Sequence, residues 1–329
     1  MSKKILITGA NGFLGSRLAK LAIRKKFKVN VLVRKNSNLS NLDAIKSKIN
    51  FFYGDLRKSD SLIDPVANSD IIFHVAADYR LWSKKTAELY DTNVFGTENI
   101  LSIISKKKKK LIFTSSVATL GLVDNQISNE NTPVCYNDMV GHYKKSKYLA
   151  EDLVFKYIRK KKLNAIIVNP STPIGPGDIK PTPTGKIILD VIKKKMPAYV
   201  DTGLNFVHVD DVAEGHFLAL KYGKVGQKYI LGGDNIIFKD FLDIVSDYAN
   251  VPKVKIKLHT TYLYLFARLN EFFSKYLIDN NPSFTVDGLR MSEKKMFFSS
   301  NKAKKKLHYR PRPAKDAIKD SVEWIIKNF

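Results

Sequence analysis

A strand, a glycine-rich turn and a helix follow one another at the beginning of the sequence. The apolar run 5–8 leads directly into segment 9–15, in which every third residue is glycine, and apolar residues then take a helical spacing. A tight corner from strand to helix needs positive φ, and a Cβ there would hold a pyrophosphate away from the backbone N–H groups of the helix. The pattern predicts a dinucleotide-binding turn whose cofactor contacts are Gly9, Asn11, Gly12, Phe13, Leu14 and Gly15.

Further short apolar stretches alternate with helix-patterned segments as far as residue 170. Strands are expected at Lys28–Val33, Asn50–Tyr53, Ile71–Val75, Lys110–Phe113 and Ala165–Val168. Such alternation predicts an α/β fold with a doubly wound parallel sheet covered on both faces. A proline-rich stretch follows and regular alternation does not return. We therefore expect a nucleotide-binding domain at 1–170 and a smaller C-terminal lobe, which would hold the substrate, in 171–329.

The charge of the chain is strongly positive, with a formal net charge of +25 over 329 residues. Lysine outnumbers arginine by 46 to 10, and the lysine runs lie between predicted elements or at their ends. Such runs indicate a solvated surface, so no specific nucleic-acid partner is predicted. Weak peripheral attraction to acidic lipid surfaces stays open.

Cysteine usage and hydropathy give expectations about metal and compartment. Cys135 is the single cysteine, which excludes an intramolecular disulfide, and the sequence has no Cys/His cluster, so no metal is predicted. We expect a cytoplasmic protein, because the residues after Lys3 and Lys4 do not resemble a signal-peptide core and no uncharged run reaches 18 residues.

Residues that follow the predicted strands indicate the cofactor type. Arg34 and Lys35 end the second strand, where a cation would pair with a 2′-phosphate, so NADP(H) is expected over NAD(H); basic residues are common here, so NAD(H) stays open. Asp55 and Leu56 follow the third strand at the place for an adenine contact, although Asp55 also suits a helix cap. The fourth strand ends at the small residues Ala76 and Ala77, beside the cofactor.

Acid–base chemistry is predicted at Tyr143 and Lys147. Residues four apart share a helix face, so the ammonium lies beside the phenol and would stabilise its phenolate. Ser116, after the fifth strand, supplies the matching hydroxyl. This spacing arises easily by chance among 15 tyrosines and 46 lysines, so its weight comes from its place after the glycine turn and the serine.

Together these motifs resemble the extended short-chain dehydrogenases/reductases, part of the NAD-dependent epimerase/dehydratase family. The glycine turn, Asp55-Leu56, segment 93–97, Ser115-Ser116 and Tyr143-x-x-x-Lys147 occur in that family's order. The resemblance implies a Rossmann fold, a catalytic triad of Ser116, Tyr143 and Lys147, and the return of 205–235 to the first domain. Further cofactor contacts are expected at Pro170, Ser171 and Thr172, and the candidates for the wall of the substrate pocket are Tyr79, Ser115, Ser171 and Thr172.

Segments 76–82, 141–144, 169–176 and 196–203 resemble a narrower group, called both hopanoid-associated sugar epimerases and dihydroflavonol 4-reductase-like proteins. Nucleotide-sugar members usually hold the substrate diphosphate with an Asn, where this chain has Thr172, and with a late Arg-Pro-Gly-Asp-like element, where it reads Tyr309-Arg310-Pro311-Arg312-Pro313. These differences favour reduction of a ketone. A sugar epimerase or dehydratase of hopanoid, other lipid or glycoconjugate biosynthesis stays an alternative, as does a non-catalytic cofactor-binding protein with a basic surface.

Segment 262–278 predicts an amphipathic helix. Positions 262, 265, 266, 269, 272, 273 and 276 form one apolar stripe. Burial against the second lobe or against a subunit of a homodimer is the first expectation. A lid over an apolar substrate and contact with a membrane face are the alternatives.

Overall fold

The strand that precedes the glycine turn is central to the fold. In the computed structural model, which describes residues 2–124, 126–276 and 285–329, it pairs in parallel with a strand on either side. The resulting seven-stranded parallel sheet reads, from edge to edge, β3 (Ile49–Tyr53), β2 (Lys28–Val33), β1 (Lys4–Thr8), β4 (Ile71–His74), β5 (Lys110–Thr114), β6 (Ala165–Pro170) and β10 (Lys228–Leu231). This order is that of a Rossmann fold with one strand added, and it confirms the predicted fold class.

Helices cover both faces of this sheet because alternate residues of its strands point to opposite sides. Ile5 and Ile7 pack in one apolar cluster while Leu6 packs in the other. The first face carries α1 (Phe13–Arg24), α7 (Val209–Tyr222) and α11 (Asn301–Leu307), and the second carries α2 (Asp60–Ala67), α4 (Gly96–Lys106) and α5 (Gly141–Lys161). Shorter helical turns lie at α3 (Ala87–Tyr90), Ser40–Lys48, Asp91–Phe95, Val117–Thr119 and Tyr136–Asp138.

A smaller lobe adjoins the end of the sheet at which β6 ends. Its strands are β7 (Thr172–Ile174), β9 (Gly203–His208) and β11 (Asp234–Ile237) in one sheet, with β8 (Ala198–Val200) and β12 (Ile256–Leu258) in another. Its helices are α6 (Pro183–Ile192), α8 (Phe238–Ala249), α9 (Thr260–Tyr276), α10 (Val286–Ser292) and α12 (Ala314–Asn328). The rings of Phe206 and Phe241 stack in its core with centroids 4.2 Å apart.

The chain crosses between the lobes more than once. β6 ends at Pro170 in the large sheet, and β7 begins two residues later in the small one. Within 205–235, α7 packs on α1 and β10 joins the large sheet, whereas most of β9 and the first residues of β11 belong to the small sheet. The domain limits at 170 and 205–235 stay predictions.

The amphipathic helix lies differently from the first expectation. Leu265 and Phe266 of α9 are 66% and 61% exposed, and Leu269 is also exposed, so this chain's second lobe does not bury them. Ala267 is buried in their place, because it faces the opposite side of the helix. The side chains at 262, 272, 273 and 276, and residues 277–278, lie outside the described residues. A homodimer contact, a substrate lid and a membrane contact stay predictions.

Two further observations concern the described residues alone. Within 2–124, 126–276 and 285–329, no helix combines the length and the apolar character needed to cross a bilayer. The same residues contain no group of three or more His, Cys, Asp or Glu side chains placed to hold a metal ion.

Replacing Gly15 by Ala should destabilise the fold. A Cβ at this position would lie 2.1 Å from the Gly9 carbonyl oxygen and 2.8 Å from the Ala10 Cα. The gain in helix propensity, about 1 kcal/mol, is smaller than the cost of forcing backbone apart, roughly 1–3 kcal/mol or more. Urea unfolding should therefore show a lower free energy of unfolding.

Gly12→Ala is the matched control, because a Cβ there meets its nearest atom, the Gly9 oxygen, at 3.2 Å. Its loss of stability should be smaller than that of Gly15→Ala. Equal losses for the two variants would contradict the proposed role of close packing at Gly15.

Candidate active site

The glycine turn presents the N-terminus of α1 at the end of the sheet. Gly9 adopts φ +68°, and the Gly12 amide donates to the Gly9 carbonyl oxygen at 3.0 Å. A Cβ on Gly9 would lie 2.8 Å from the Ala76 Cα. Gly12 is the N-cap residue of α1 and makes no side-chain hydrogen bond to the helix, and the first turn carries no acidic residue. The N-terminus of α1, with Phe13 and Leu14 in its first turn, is therefore suited to bind an anion.

Asn11 connects this turn with the loop after β2. Its side-chain amide donates to the Asn38 carbonyl oxygen at 3.1 Å, and Asn41 donates back to the Asn11 carbonyl oxygen at 3.3 Å. Arg34, at the end of β2, is exposed. The structure thus brings Arg34 to the same edge of the sheet as the glycine turn.

Asp55 lies after β3, where it is held by its own neighbour. Its carboxylate accepts from the Arg57 backbone amide at 2.9 Å and from the guanidinium at 2.6 Å. This hydrogen bonding, with a smaller contribution from Arg34, lowers the pKa of Asp55 despite partial burial. Because the amide it binds precedes α2, Asp55 caps the turn 55–57 rather than that helix, and the buried Leu56 packs under it against Gly96.

Buried hydrogen bonds fix the end of β4, where Ala76 and Ala77 follow. The Thr8 hydroxyl accepts from the backbone amides of Val75 and Ala76, both at 3.1 Å, and bonds Nδ1 of His74 at 2.8 Å. Burial, with the charge of Lys147, lowers the pKa of His74 to about 3, so this imidazole is neutral at pH 7. His74 is therefore a structural link beneath the site.

Helix α5 and the end of β5 bring Ser116, Tyr143 and Lys147 together. Ser116 lies close enough to Tyr143 for its hydroxyl to lower the pKa of the phenol, and Lys147 Nζ donates to the Thr114 carbonyl oxygen at 2.8 Å. The Ser116 hydroxyl also accepts from the Ala118 amide at 3.1 Å, which begins the helical turn 117–119. Ser116 is thus a neighbour of Tyr143, and Lys147 is anchored on Thr114, two residues before Ser116; their joint role as a triad stays a prediction.

Burial governs the titration of this group. It raises the pKa of Tyr143, and the hydrogen bond with Ser116 acts in the opposite, lowering direction. Burial lowers the pKa of Lys147 to about 8, against the raising effect of the negative Glu151. Lys144, also buried, has a pKa lowered to about 8 by burial alone. At pH 7 the Tyr143 phenol and the Lys147 ammonium are therefore both protonated.

Two buried polar residues to which the sequence analysis gave no role lie next to the predicted triad, and the first of them belongs to segment 93–97, which carried part of the family resemblance. Asn93, in the helical turn 91–95, donates to Ser146 Oγ at 2.9 Å and exchanges hydrogen bonds with the backbone of Asp78 at 2.7 and 2.8 Å. Glu151 lies one turn beyond Lys147 and is bonded to Ser115, Thr119 and Asn169. The four-residue spacing of Lys147 and Glu151 indicates that they share a helix face, so the sequence could have suggested Glu151 as a partner of Lys147. No spacing could have indicated the partners of Asn93, which lie 15 and 53 positions away.

The predicted substrate and loop residues occupy several environments. Ser115 is buried and its hydroxyl donates to Glu151, which places it in the interior network and not at an open surface. Tyr79 is exposed and its hydroxyl donates to the Lys180 carbonyl oxygen at 3.4 Å. Pro170 ends β6, and Thr172 begins β7, half-buried. The buried Ser171 Oγ has no hydrogen-bond partner among the described residues.

A family model and two individual proteins match this chain over most of its length. The NAD-dependent epimerase/dehydratase family model covers residues 5–232. A protein of Synechocystis sp. named putative dihydroflavonol 4-reductase is 38% identical, in an alignment that covers 99% of this chain and 95% of that protein. The crystal structure of gox2253 is 47% identical, with a TM-score of 0.88, over 99% of this chain and 98% of its own.

More distant structures share the fold alone. The dTDP-glucose 4,6-dehydratase of Bacillus anthracis, solved in complex with NAD, has a TM-score of 0.79 at 19% identity and covers 99% of this chain and 97% of its own. Both the family match and the similarity to the Synechocystis protein extend over the glycine turn and the Ser116, Tyr143 and Lys147 group. This chain is a member of the NAD-dependent epimerase/dehydratase family.

Proposed function

We propose that this protein is an NADP(H)-dependent oxidoreductase that reduces a ketone. The observation that carries the proposal is the placement of Ser116 beside Tyr143, with Lys147 bonded to the Thr114 carbonyl oxygen, at the end of the sheet where the glycine turn also lies. Binding alone would not require this combination of hydroxyl, phenol and ammonium. The proposal also places the protein in the cytoplasm, as expected from its single cysteine.

The residues of the glycine turn fit a dinucleotide. A Cβ on Gly9 or Gly15 would meet backbone atoms within 2.8 Å, and the uncapped N-terminus of α1 offers N–H donors to a pyrophosphate. In this proposal Gly9, Gly12 and Gly15 surround the pyrophosphate, Ala76 and Ala77 lie beside the cofactor, and Lys147 holds the nicotinamide ribose. The bound nicotinamide would supply the hydride.

Proton transfer falls to Tyr143. Its phenol is protonated at pH 7, as an ordinary tyrosine is, and burial raises its pKa further; it donates a proton to the carbonyl oxygen of the substrate. Ser116 hydrogen-bonds the same oxygen. The Lys147 ammonium then stabilises the phenolate left on Tyr143, which favours the transfer.

Arg34 supports the preference for NADP(H). It is exposed at the end of β2, and its charge reaches Asp55, at the strand end where the adenosine ribose would lie. A guanidinium recognises phosphate through charge-assisted hydrogen bonds. An acidic residue suited to a 2′-hydroxyl does not follow β2 directly, since the next residue is Lys35.

The late arginine segment favours a substrate without a diphosphate. The Arg312 guanidinium is bound to Asp211, with Nη2 2.8 Å from Oδ1, and its backbone amide also donates to Asp211 at 2.8 Å. This pairing holds the Arg312 guanidinium against Asp211 of α7, so in this proposal Arg312 does not bind the substrate. Thr172 replaces the amide side chain typical of nucleotide-sugar enzymes, which also supports reduction of an apolar or cyclic ketone over sugar epimerisation.

Tyr143→Phe should abolish most turnover while leaving cofactor binding intact. The variant keeps the ring and removes the proton donor, so the rate of NADPH oxidation with a ketone should fall about 10²–10⁴-fold. Tyr148→Phe is the matched control on the same helix, because that ring packs on Tyr136 on the outer side. Absorbance at 340 nm and NADPH fluorescence measure the two properties.

The same assay separates reductase from epimerase. A reductase oxidises NADPH in step with product, whereas an epimerase returns the hydride to its substrate and needs no net nucleotide. Epimerisation of a sugar nucleotide without sustained NADPH consumption would overturn the reductase assignment. Near-normal turnover of Tyr143→Phe would overturn the role of Tyr143.

Arg34→Asp should weaken NADPH far more than NADH. A charge-assisted contact with phosphate contributes about 1.5–3 kcal/mol, which corresponds to roughly tenfold to a hundredfold in the dissociation constant. Fluorescence titration of both nucleotides gives the ratio. Arg159→Asp makes the same charge change at the end of α5 and should leave the ratio unchanged; equal losses of both nucleotides in Arg34→Asp would refute the assignment.

A further inference from the structure

A buried carboxylate lies directly beneath the candidate active site. Glu151 is only 5% exposed and belongs to α5, four residues after Lys147 and on the same helix face. Burial of a carboxylate is costly unless donors or cations compensate it. The position of Glu151 therefore needs a reason beyond solubility or helix formation.

Its oxygens are fully engaged by neighbouring elements. Oε2 accepts from the hydroxyl of Ser115, from Thr119 Oγ1 at 2.9 Å and from Asn169 Nδ2 at 2.9 Å. Oε1 lies 3.3 Å from Lys228 Nζ on β10. The NH2 group of Asn169 and the Lys228 ammonium can only donate, so these two partners match a carboxylate that accepts.

The same network holds the backbone that carries Ser116. Asn169 Nδ2 donates to the Ser116 carbonyl oxygen at 3.0 Å. Thr119 Oγ1 lies within hydrogen-bond distance of that oxygen, at 2.8 Å, and of Glu151 Oε2, at 2.9 Å, and its single proton serves one of the two at a time. Asn169 is oriented by its contact with Glu151. The carboxylate thus links α5 to β6 and to the turn in which the Ser116 hydroxyl is presented.

Charge connects Glu151 with Lys147 as well. Burial alone would lower the pKa of Lys147, and the negative charge one helical turn away acts in the raising direction. Near-complete burial of both side chains weakens screening by solvent. Glu151 is therefore the acidic partner that opposes loss of the Lys147 proton.

We propose that Glu151 is a positioning residue of the active site, which keeps the Lys147 ammonium charged and fixes the backbone of Ser116. The inference rests on the proposed function, since it concerns the two groups that assist Tyr143. Glu151 would act through Lys147 and Ser116, and it would touch neither substrate nor cofactor.

Other charged or titratable groups define the direction of the expected effects. Lys228 faces Glu151 from β10 and partly neutralises its charge. Burial lowers the pKa of Lys302 of α11, and the positive charge of Lys228 lowers it further. Burial raises the pKa of Tyr148 of α5, and the negative charge of Glu151 adds to this increase. On the far side of Lys147, His74 is neutral at pH 7.

The test is the pH dependence of NADPH binding and of kcat/KM in Glu151→Gln. The amide retains the shape and one acceptor oxygen but removes the charge, so Lys147 should lose its proton at lower pH. We expect the alkaline limb of both profiles to move down by about one pH unit or more, which makes binding at a pH just above the limb roughly tenfold weaker than in the parent protein. Glu151→Asp keeps the charge, so its alkaline limb should lie closer to that of the parent protein than the limb of Glu151→Gln does.

Two controls separate charge from structure. Lys228→Met removes the cation that competes for Glu151, and the limb should move to higher pH, opposite to the effect of Glu151→Gln. Thr119→Val removes one hydrogen bond to the carboxylate without changing charge, so its limb should stay near that of the parent. A purely structural network would not produce shifts of opposite sign.

Unfolding of the protein without nucleotide gives a readout independent of catalysis. The folded pKa of Lys147, about 8, lies below that of an unfolded lysine, so its burial costs stability at low pH and this cost disappears as pH rises above about 8. In Glu151→Gln the increase in melting temperature with pH should begin at lower pH. Adding Lys147→Met should abolish this difference between Glu and Gln.

Unchanged limbs and an unchanged melting profile in a folded Glu151→Gln variant would overturn the inference. That outcome differs from failure of the proposed function, which would appear in the parent protein as NADPH binding without ketone reduction. The nucleotide-binding and melting profiles need no substrate, so they decide the role of Glu151 in either case.

Discussion

The close approach of backbone at the first turn is the constraint on which the site depends. Gly15 has no room for a side chain against Gly9, and Gly9 has none against Ala76, so β1, α1 and β4 meet at one point. This contact sets the N-terminus of α1 over the edge of the sheet. The acid–base group reaches the same end of the sheet from β5 and α5. Since β4 lies between β5 and the strand that precedes the glycine turn, the distance from this group to a cofactor on the turn follows from the spacing of three adjacent strands.

Polar side chains at the ends of the central strands form a second layer beneath this edge. Thr8 is bonded to His74, Thr114 to His216, and Asn169 to Glu151. Burial lowers the pKa of His74 to about 3 and that of His216 to about 4, so both imidazoles stay neutral hydrogen-bonding groups. These hydrogen bonds restrict the strand ends more strongly than apolar packing would, because each bond has a direction.

Local spacing was enough to predict the parts of the site that lie within one element. The glycine turn and the four-residue step from Tyr143 to Lys147 have short-range geometry, and the alternation of strands with helices gave the fold class. The supporting partners depend on remote contacts, such as Asn93 with Ser146 across 53 positions, and no periodicity encodes them. For α9, the apolar stripe indicated a helix, but the surface that it faces is a tertiary property, and Leu265 and Phe266 remain exposed.

The junction between the two lobes has a consequence for motion. One residue, Ser171, separates β6 of the large sheet from β7 of the small one, and its amide donates to the Leu231 carbonyl oxygen at 3.3 Å. Arg17 of α1 also donates to the Pro176 carbonyl oxygen beyond β7. A hinge needs residues free to change φ and ψ, and this crossing offers almost none. At this crossing, the first strand of the small sheet is therefore held in a fixed direction relative to the last residues of β6.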